Sequence, residues 1–222
     1  MKAEAFADIR IEHLLQMTSG IKFNESYLNP FGDAAAFYYG RNLIKKTKNL
    51  KVKNPPGTVF EYTSGSSQLL GLVLHNALPE DISISEYLET KIWKPLGMHY
   101  NATWSIDQEG GIEKTFCCLN ARAIDFAKIG RLYLEEGNWN NRQLVKKSWV
   151  KKSIAIDSTY ASPGFYQYQW WLPTPNGDFA AKGILGQFIY DNPNKNLIIV
   201  RLGKNHGDVD WMEVFISLAK AY

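Results

Sequence analysis

PPGTVFEYTSGSSQLLGLVL, residues 55–74, changes character along its length. Two prolines and a glycine make a rigid turn, VFEY follows as a short extended entry, and the run from Gln68 is apolar around most of a helix's circumference. Such a helix belongs in an interior, so the stretch predicts a buried helix fed by a fixed turn. Tyr62 lies between the two, where its hydroxyl can be held and partly desolvated, and Ser64 points to the same side if the segment is extended. The same residues also read as a core tyrosine followed by a serine N-cap.

Working outward toward the N-terminus, Ile11, Leu14, Leu15 and Met17 form a helical stripe that Gly20 can close, and Asp33 opens a helix through AAAFYYGRNLI. The basic run KKTKNLKVK (45–53) reads as a solvated surface loop, not a phosphate site. In the other direction, Ser83 and Glu86 are spaced as a capping box, Pro95 ends that helix, and ARAIDFAKIGRLYLEEG predicts another, closed by Gly137. Beyond residue 160, FYQYQWWL, FAAKG, QFIYD and NLIIVRL read as strands, DNPNKN as a hairpin turn and DWMEVFISLAKAY as a covering helix. The class is therefore α+β: one domain over 1–222, mainly helical over 1–155, with strands and a C-terminal helix over 156–222.

The 222 residues are 45% hydrophobic with a formal charge of +3, enough for a substantial core and too little positive charge for a nucleic-acid binder. Cys117 and Cys118 are adjacent, a placement that suits neither an ordinary disulfide nor a metal site, so both are expected to be buried thiols. The four histidines lack metal-ligand spacing, and GSSQLLG lacks the lysine of a nucleotide loop; no metal or cofactor is expected. No stretch has the length of a membrane span, and MKAEAFADIR lacks the apolar core of a signal peptide.

Hydroxyl and amine chemistry is left. TSGIK (18–22) sets Ser19 three residues before Lys22, as an acyl-transfer nucleophile and its base could be, but Ser148–Lys151 and Ser217–Lys220 repeat the spacing and chance accounts for about one such pair. In AKGILGQ (181–187), small residues let a substrate backbone approach; the Ile184 amide could donate to an oxyanion, and Lys182 could hold a carboxylate or tune a nearby proton. A glycine-kinked edge strand is the equally weighted alternative.

Taken together, IEHLLQMTSGI, PPGTVFEYTSGSSQLLGLVL, IWKPLGM, ARAIDFAKIGRLYLEEGNWNNRQLV, YQWWLP and AKGILGQFIYDNPNKNLIIVRLG resemble, in order, the serine hydrolases related to beta-lactamases and penicillin-binding proteins, in the branch of aminohexanoate-oligomer hydrolases and carboxylesterases. The resemblance implies that the nucleophile lies in an SxxK helix upstream of HLLxxTSG, which makes Ser19 structural. It implies that Tyr62 moves the nucleophile's proton, that Ser64 holds the third position of a YxN or YxS motif, that Ile184 supplies an oxyanion amide and Gly183 the clearance for it. Lys182 only approximates the lysine of a KTG strand, because Gly183 stands where threonine is usual, and Ser64 in place of asparagine departs from the penicillin-recognising members.

Trp170, with Trp171 and Tyr166, would rim the cleft, and positions 62 and 182–184 are expected to face each other across it. Only ten residues precede IEHLLQMTSGI, so the expectation is the C-terminal portion of an amide or ester hydrolase, without its first strands and nucleophile helix and inactive alone. The alternatives are a ligand-binding module that uses the residual cleft and an interaction protein with an open sheet edge. Expected partners are a small or peptide-like amide or ester substrate and a missing N-terminal half, with no nucleic acid. Relatives are often periplasmic or secreted.

Overall fold

A computed structural model describes residues 6–159 and 161–222. They divide into two compact units: the first runs to Thr90 and includes Thr103–Asn120, and the second comprises Lys91–Ala102, Ala121–Ser158 and Ser162–Tyr222.

The first unit is helical with short strand pairs. Its elements are α1 (Ile11–Leu15), β1 (Ile21–Lys22), α2 (Asp33–Tyr39), α3 (Leu43–Lys48), β2 (Lys51–Val52), α4 (Ser64–Ala77), α5 (Ile84–Leu88), β3 (Thr103–Trp104) and β4 (Leu119–Asn120). The predicted interior helix is α4, which packs against α1, α3, α5 and β1. Leu69 and Leu72 from α4 join Leu14, Ile21, Phe23, Phe37, Leu43 and Ile112 in one apolar core. Gly71 is required in α4, because a Cβ there would collide with the Thr115 side chain. The Ser83–Glu86 capping box forms as expected.

Several local expectations shift. Thr63, not Ser64, is the N-cap of α4: its hydroxyl accepts from the Ser66 amide, and Ser64 is already helical, so the extended alternation ends one residue early. The helix begun at Asp33 breaks at Gly40 and restarts at Leu43, where the Asn42 side chain accepts from Lys45. KKTKNLKVK is accordingly not a loop; it forms α3 and β2, with most of its lysines in solvent. Cys117 and Cys118 form a disulfide and are half-buried, which corrects the expectation of buried thiols. Cys118 adopts φ +73°, and this left-handed turn lets neighbouring side chains meet.

The second unit holds α6 (Ala123–Leu134), β5 (Asn138–Trp139), β6 (Arg142–Gln143), α7 (Lys147–Ser153), β7 (Tyr166–Gln167), β8 (Trp170–Trp171), β9 (Phe179–Lys182), β10 (Phe188–Asn192), β11 (Leu197–Arg201) and α8 (Trp211–Ala221). Its sheet is an antiparallel meander ordered β11-β10-β9-β8-β7. FYQYQWWL, read as one strand, is a hairpin: Tyr168 and Gln169 turn the chain at φ +41° and +76°, and Gln167 pairs with Trp170. DNPNKN turns through Pro193–Lys195 into left-handed Asn196, as its composition predicts. Phe188 and Tyr190 pack with Phe215 and Ala219 of α8, while α6 lies against β10 and β11.

Candidate active site

In the first unit the chemistry gathers at the start of α4. Met17 and Thr18 bond the incoming chain, with Gly57 donating to the Thr18 carbonyl at 2.7 Å and Glu61 to that of Met17 at 2.8 Å. Three hydroxyls then interlock: Ser66 lies 2.8 Å from Ser19 and 2.9 Å from Thr63. Ser19 is thus a buried structural hydroxyl, and Lys22 sits out in solvent on β1, so that pair shares no face. The other two serine–lysine pairs lie on α7 and α8, and Lys151 is ion-paired with Glu136 at 3.3 Å.

Ser64 and Tyr62 gather around a residue not anticipated from the sequence. The Glu25 carboxylate accepts from the Ser64 amide at 2.8 Å, and from the hydroxyls of Ser64 and Tyr27. It thus places a negative charge at the N-terminus of a fourteen-residue helix, where the backbone amides favour it. Burial first, and the Glu25 charge second, push the Tyr62 phenol above its ordinary range, although the residue as a whole is 41% exposed. Tyr27 rises to about 12, by burial and by its hydrogen bond to Glu25. Both phenols are therefore neutral donors at neutral pH. Glu25 is 39 residues from Ser64 in an irregular loop, and no sequence period links them.

In the second unit, β9 ends at Lys182, and Gly183–Gln187 form the turn into β10; β9 itself is an interior strand, so the edge-strand alternative does not apply. Gly183 donates to the Gln187 carbonyl at 2.7 Å, and the Gln187 side chain accepts from the Leu185 amide at 3.0 Å while donating to the Gly203 carbonyl at 2.9 Å. A Cβ at Gly183 would strike that Gln187 side chain. Among the described residues nothing accepts from the Ile184 amide, whose residue is 53% exposed. The Lys182 ammonium lies 4.6 Å from the Trp171 ring centroid, and burial holds its pKa below the ordinary lysine value, with Asp210 opposing.

Trp170 does not rim a cleft: it is 7% exposed and packs on Tyr133 and Phe179 at 4.6 and 5.0 Å between centroids. Tyr166 is likewise buried, and Trp171 is the residue of the pair that meets Lys182.

The first unit thus holds a phenol above its normal range beside a capped helix, and the second an open amide in a glycine turn. Residues 1–212 match the family described as Beta-lactamase. The chain belongs to the beta-lactamase family. Within it, a 6-aminohexanoate-dimer hydrolase from Paenarthrobacter ureafaciens is 26% identical over 213 residues, covering 85% of this chain and 53% of that protein. A Bacillus anthracis structure classed with the 6-aminohexanoate-dimer hydrolases superposes with a TM-score of 0.80 at 26% identity, covering 95% of this chain and 60% of that one. A beta-lactamase/D-alanine carboxypeptidase from Yersinia pestis shares the fold, with a TM-score of 0.66 at 18% identity, over 96% of this chain and 68% of its own. This beta-lactamase-family chain spans about half the length of the curated relative it matches. Among its described residues no helix is long and apolar enough to cross a membrane, and MKAEAFADIR falls partly outside them.

Proposed function

We propose that this chain supplies the proton-relay and oxyanion groups of a serine hydrolase that cleaves amide or ester bonds in a small or peptide-like substrate through an acyl-enzyme, the attacking serine coming from polypeptide other than residues 1–222. Tyr62 works with an amine carried by the polypeptide that supplies the serine: the phenol gives its own proton to that amine as it takes the nucleophile's, and the reverse transfer protonates the leaving group. Ile184 donates its backbone N–H to the tetrahedral oxyanion, and Gly183 leaves room for the carbonyl. Lys182, Ser64 and Trp171 contact the rest of the substrate. The observation that carries the reading is the Glu25–Ser64 cluster at the start of the helix that follows Tyr62, in a chain of this family. The relatives' name, a hydrolase of an aminohexanoate dimer, favours an amide substrate.

The test is fluorophosphonate labelling followed by intact mass and peptide mapping. Residues 1–222 alone are expected to take no stoichiometric label. A longer natural polypeptide containing them is expected to take one per chain, at a serine outside 1–222, and Tyr62→Phe should slow that labelling by at least about tenfold. A single label on a serine within 1–222, or unchanged labelling in Tyr62→Phe, would overturn the proposal. Ligand binding without any label would favour a noncatalytic binding module.

A further inference from the structure

The Glu25 carboxylate is fully engaged by groups that flank Tyr62. One oxygen accepts from the Ser64 amide at 2.8 Å, and the other accepts both the Ser64 and Tyr27 hydroxyls. Ser64 is 6% exposed and is the first residue of α4, so its amide is one of the helix's unpaired donors and needs an acceptor. Thr63 already caps the Ser66 amide, which leaves the Ser64 amide to Glu25. The bond fixes where the helix begins, and hence anchors the end of the extended segment that carries Tyr62 and Thr63.

We infer that Glu25 is the positioning residue for Tyr62: through Ser64 it pins the first turn of α4 and so anchors the segment that carries the phenol. This rests on the proton-relay role proposed for Tyr62. On its own segment Glu61 is occupied by Lys53, at 2.7 Å, and Glu25 is the charge that acts on the phenol from the loop packed against α4. Ser64 has only one O–H, and Glu25 takes it, so Ser64 keeps lone pairs alone for any further partner. A carboxylate at this place therefore bears on two groups at once: after burial it adds to the rise in the tyrosine's pKa, and it gives the serine its acceptor character. Glutamine in its place would keep the shape, lose the charge, and set an amide nitrogen against one of the donors.

The experiment uses the 222-residue chain and needs no turnover. Tyrosine labelled with 13C at the ring carbon bearing oxygen is titrated by NMR, with Tyr62→Phe and Tyr27→Phe to assign the signals, and backbone amide exchange is followed at residues 64–67. Glu25→Gln should lower the Tyr62 midpoint by about half a pH unit or more and speed exchange of the Ser64 amide by at least about tenfold. A Tyr62 midpoint that stays where it was would overturn the inference, since a merely structural role would loosen the helix start without moving the phenol. If Glu25→Gln does not fold, the wild-type chain decides: as acid is added, the Ser64 amide shift must move together with the Glu25 carboxylate signal, and independent movement would count equally against it. A longer polypeptide that failed to hydrolyse any amide would sink the proposed function and leave both of these readouts standing.

Discussion

Asp125 and Asp191 meet the same helix in opposite circumstances. Both are fully buried at 0% exposure. Asp125 stands in the first turn of α6, where its carboxylate accepts from the His99 amide at 2.6 Å and the Tyr100 amide at 3.2 Å, with the Lys128 ammonium 3.9 Å away. Asp191 reaches from β10 to the middle of that helix under Gly130, and among the described residues neither of its oxygens has a hydrogen-bond partner. Desolvation alone pushes its pKa up to about 8, so it is mostly protonated at neutral pH. Burial therefore does not fix what a carboxylate contributes to stability; the donors around it do.

The largest expected effect is the pH dependence that Asp191 imposes. Its folded pKa of about 8 lies above the ordinary 3.8, so the folded chain binds the extra proton between those values and stability falls as pH rises through that window. The contribution is fully present below pH 4 or so and has declined by about 4 kcal/mol at pH 7. Asp191→Asn should thus raise the urea unfolding free energy by about 2–4 kcal/mol at pH 7 and hardly change it near pH 4. Equal effects at both pH values would mean that the carboxylate is not neutralised by burial.

Asp125→Asn should act in the other direction and cost about 2–3 kcal/mol, because an amide NH2 would face a backbone donor and leave it unpaired. A neutral result in the same urea assay would erase the contrast between the two aspartates. Gly130→Ala should cost about 1–2 kcal/mol, since its methyl would collide with the Asp191 carboxylate and outweigh the gain in helix propensity. In an Asp191→Ala background that cost should vanish, and a double-mutant cycle measures the coupling directly. Smallest is the Cys117–Cys118 bridge, which closes the shortest possible loop: Ellman titration should find two thiols only after reduction, with a stability change of about 1 kcal/mol or less.

The core helix, the strands and the C-terminal helix were legible because each follows from a local signal: the apolar run after Gln68, β-branched and aromatic clusters, and turn residues such as those in DNPNKN. What could not be read depended on partners remote in the chain or on unusual backbone. Nothing around Glu25 announces that it will meet Ser64, and nothing in YQYQWW marks Tyr168 and Gln169 as a turn, because bulky residues rarely take positive φ. With that turn unread, both tryptophans were expected at a cleft, whereas Trp170 goes into the core and Trp171 lies against Lys182. Asp191 shows the same limit, since its sequence context, between tyrosine and asparagine in a strand, contains no hint that no donor will reach it.

The order of the five-stranded sheet bears on how it assembles. Every strand pairs only with its neighbour in sequence, so each closure spans a short loop and the sheet can zip hairpin by hairpin without a long search. β1 and β2 must instead join Ile21 to Val52 across α2 and α3. In a refolding time course, amide protection on β9 and β10 should consequently precede that on Ile21.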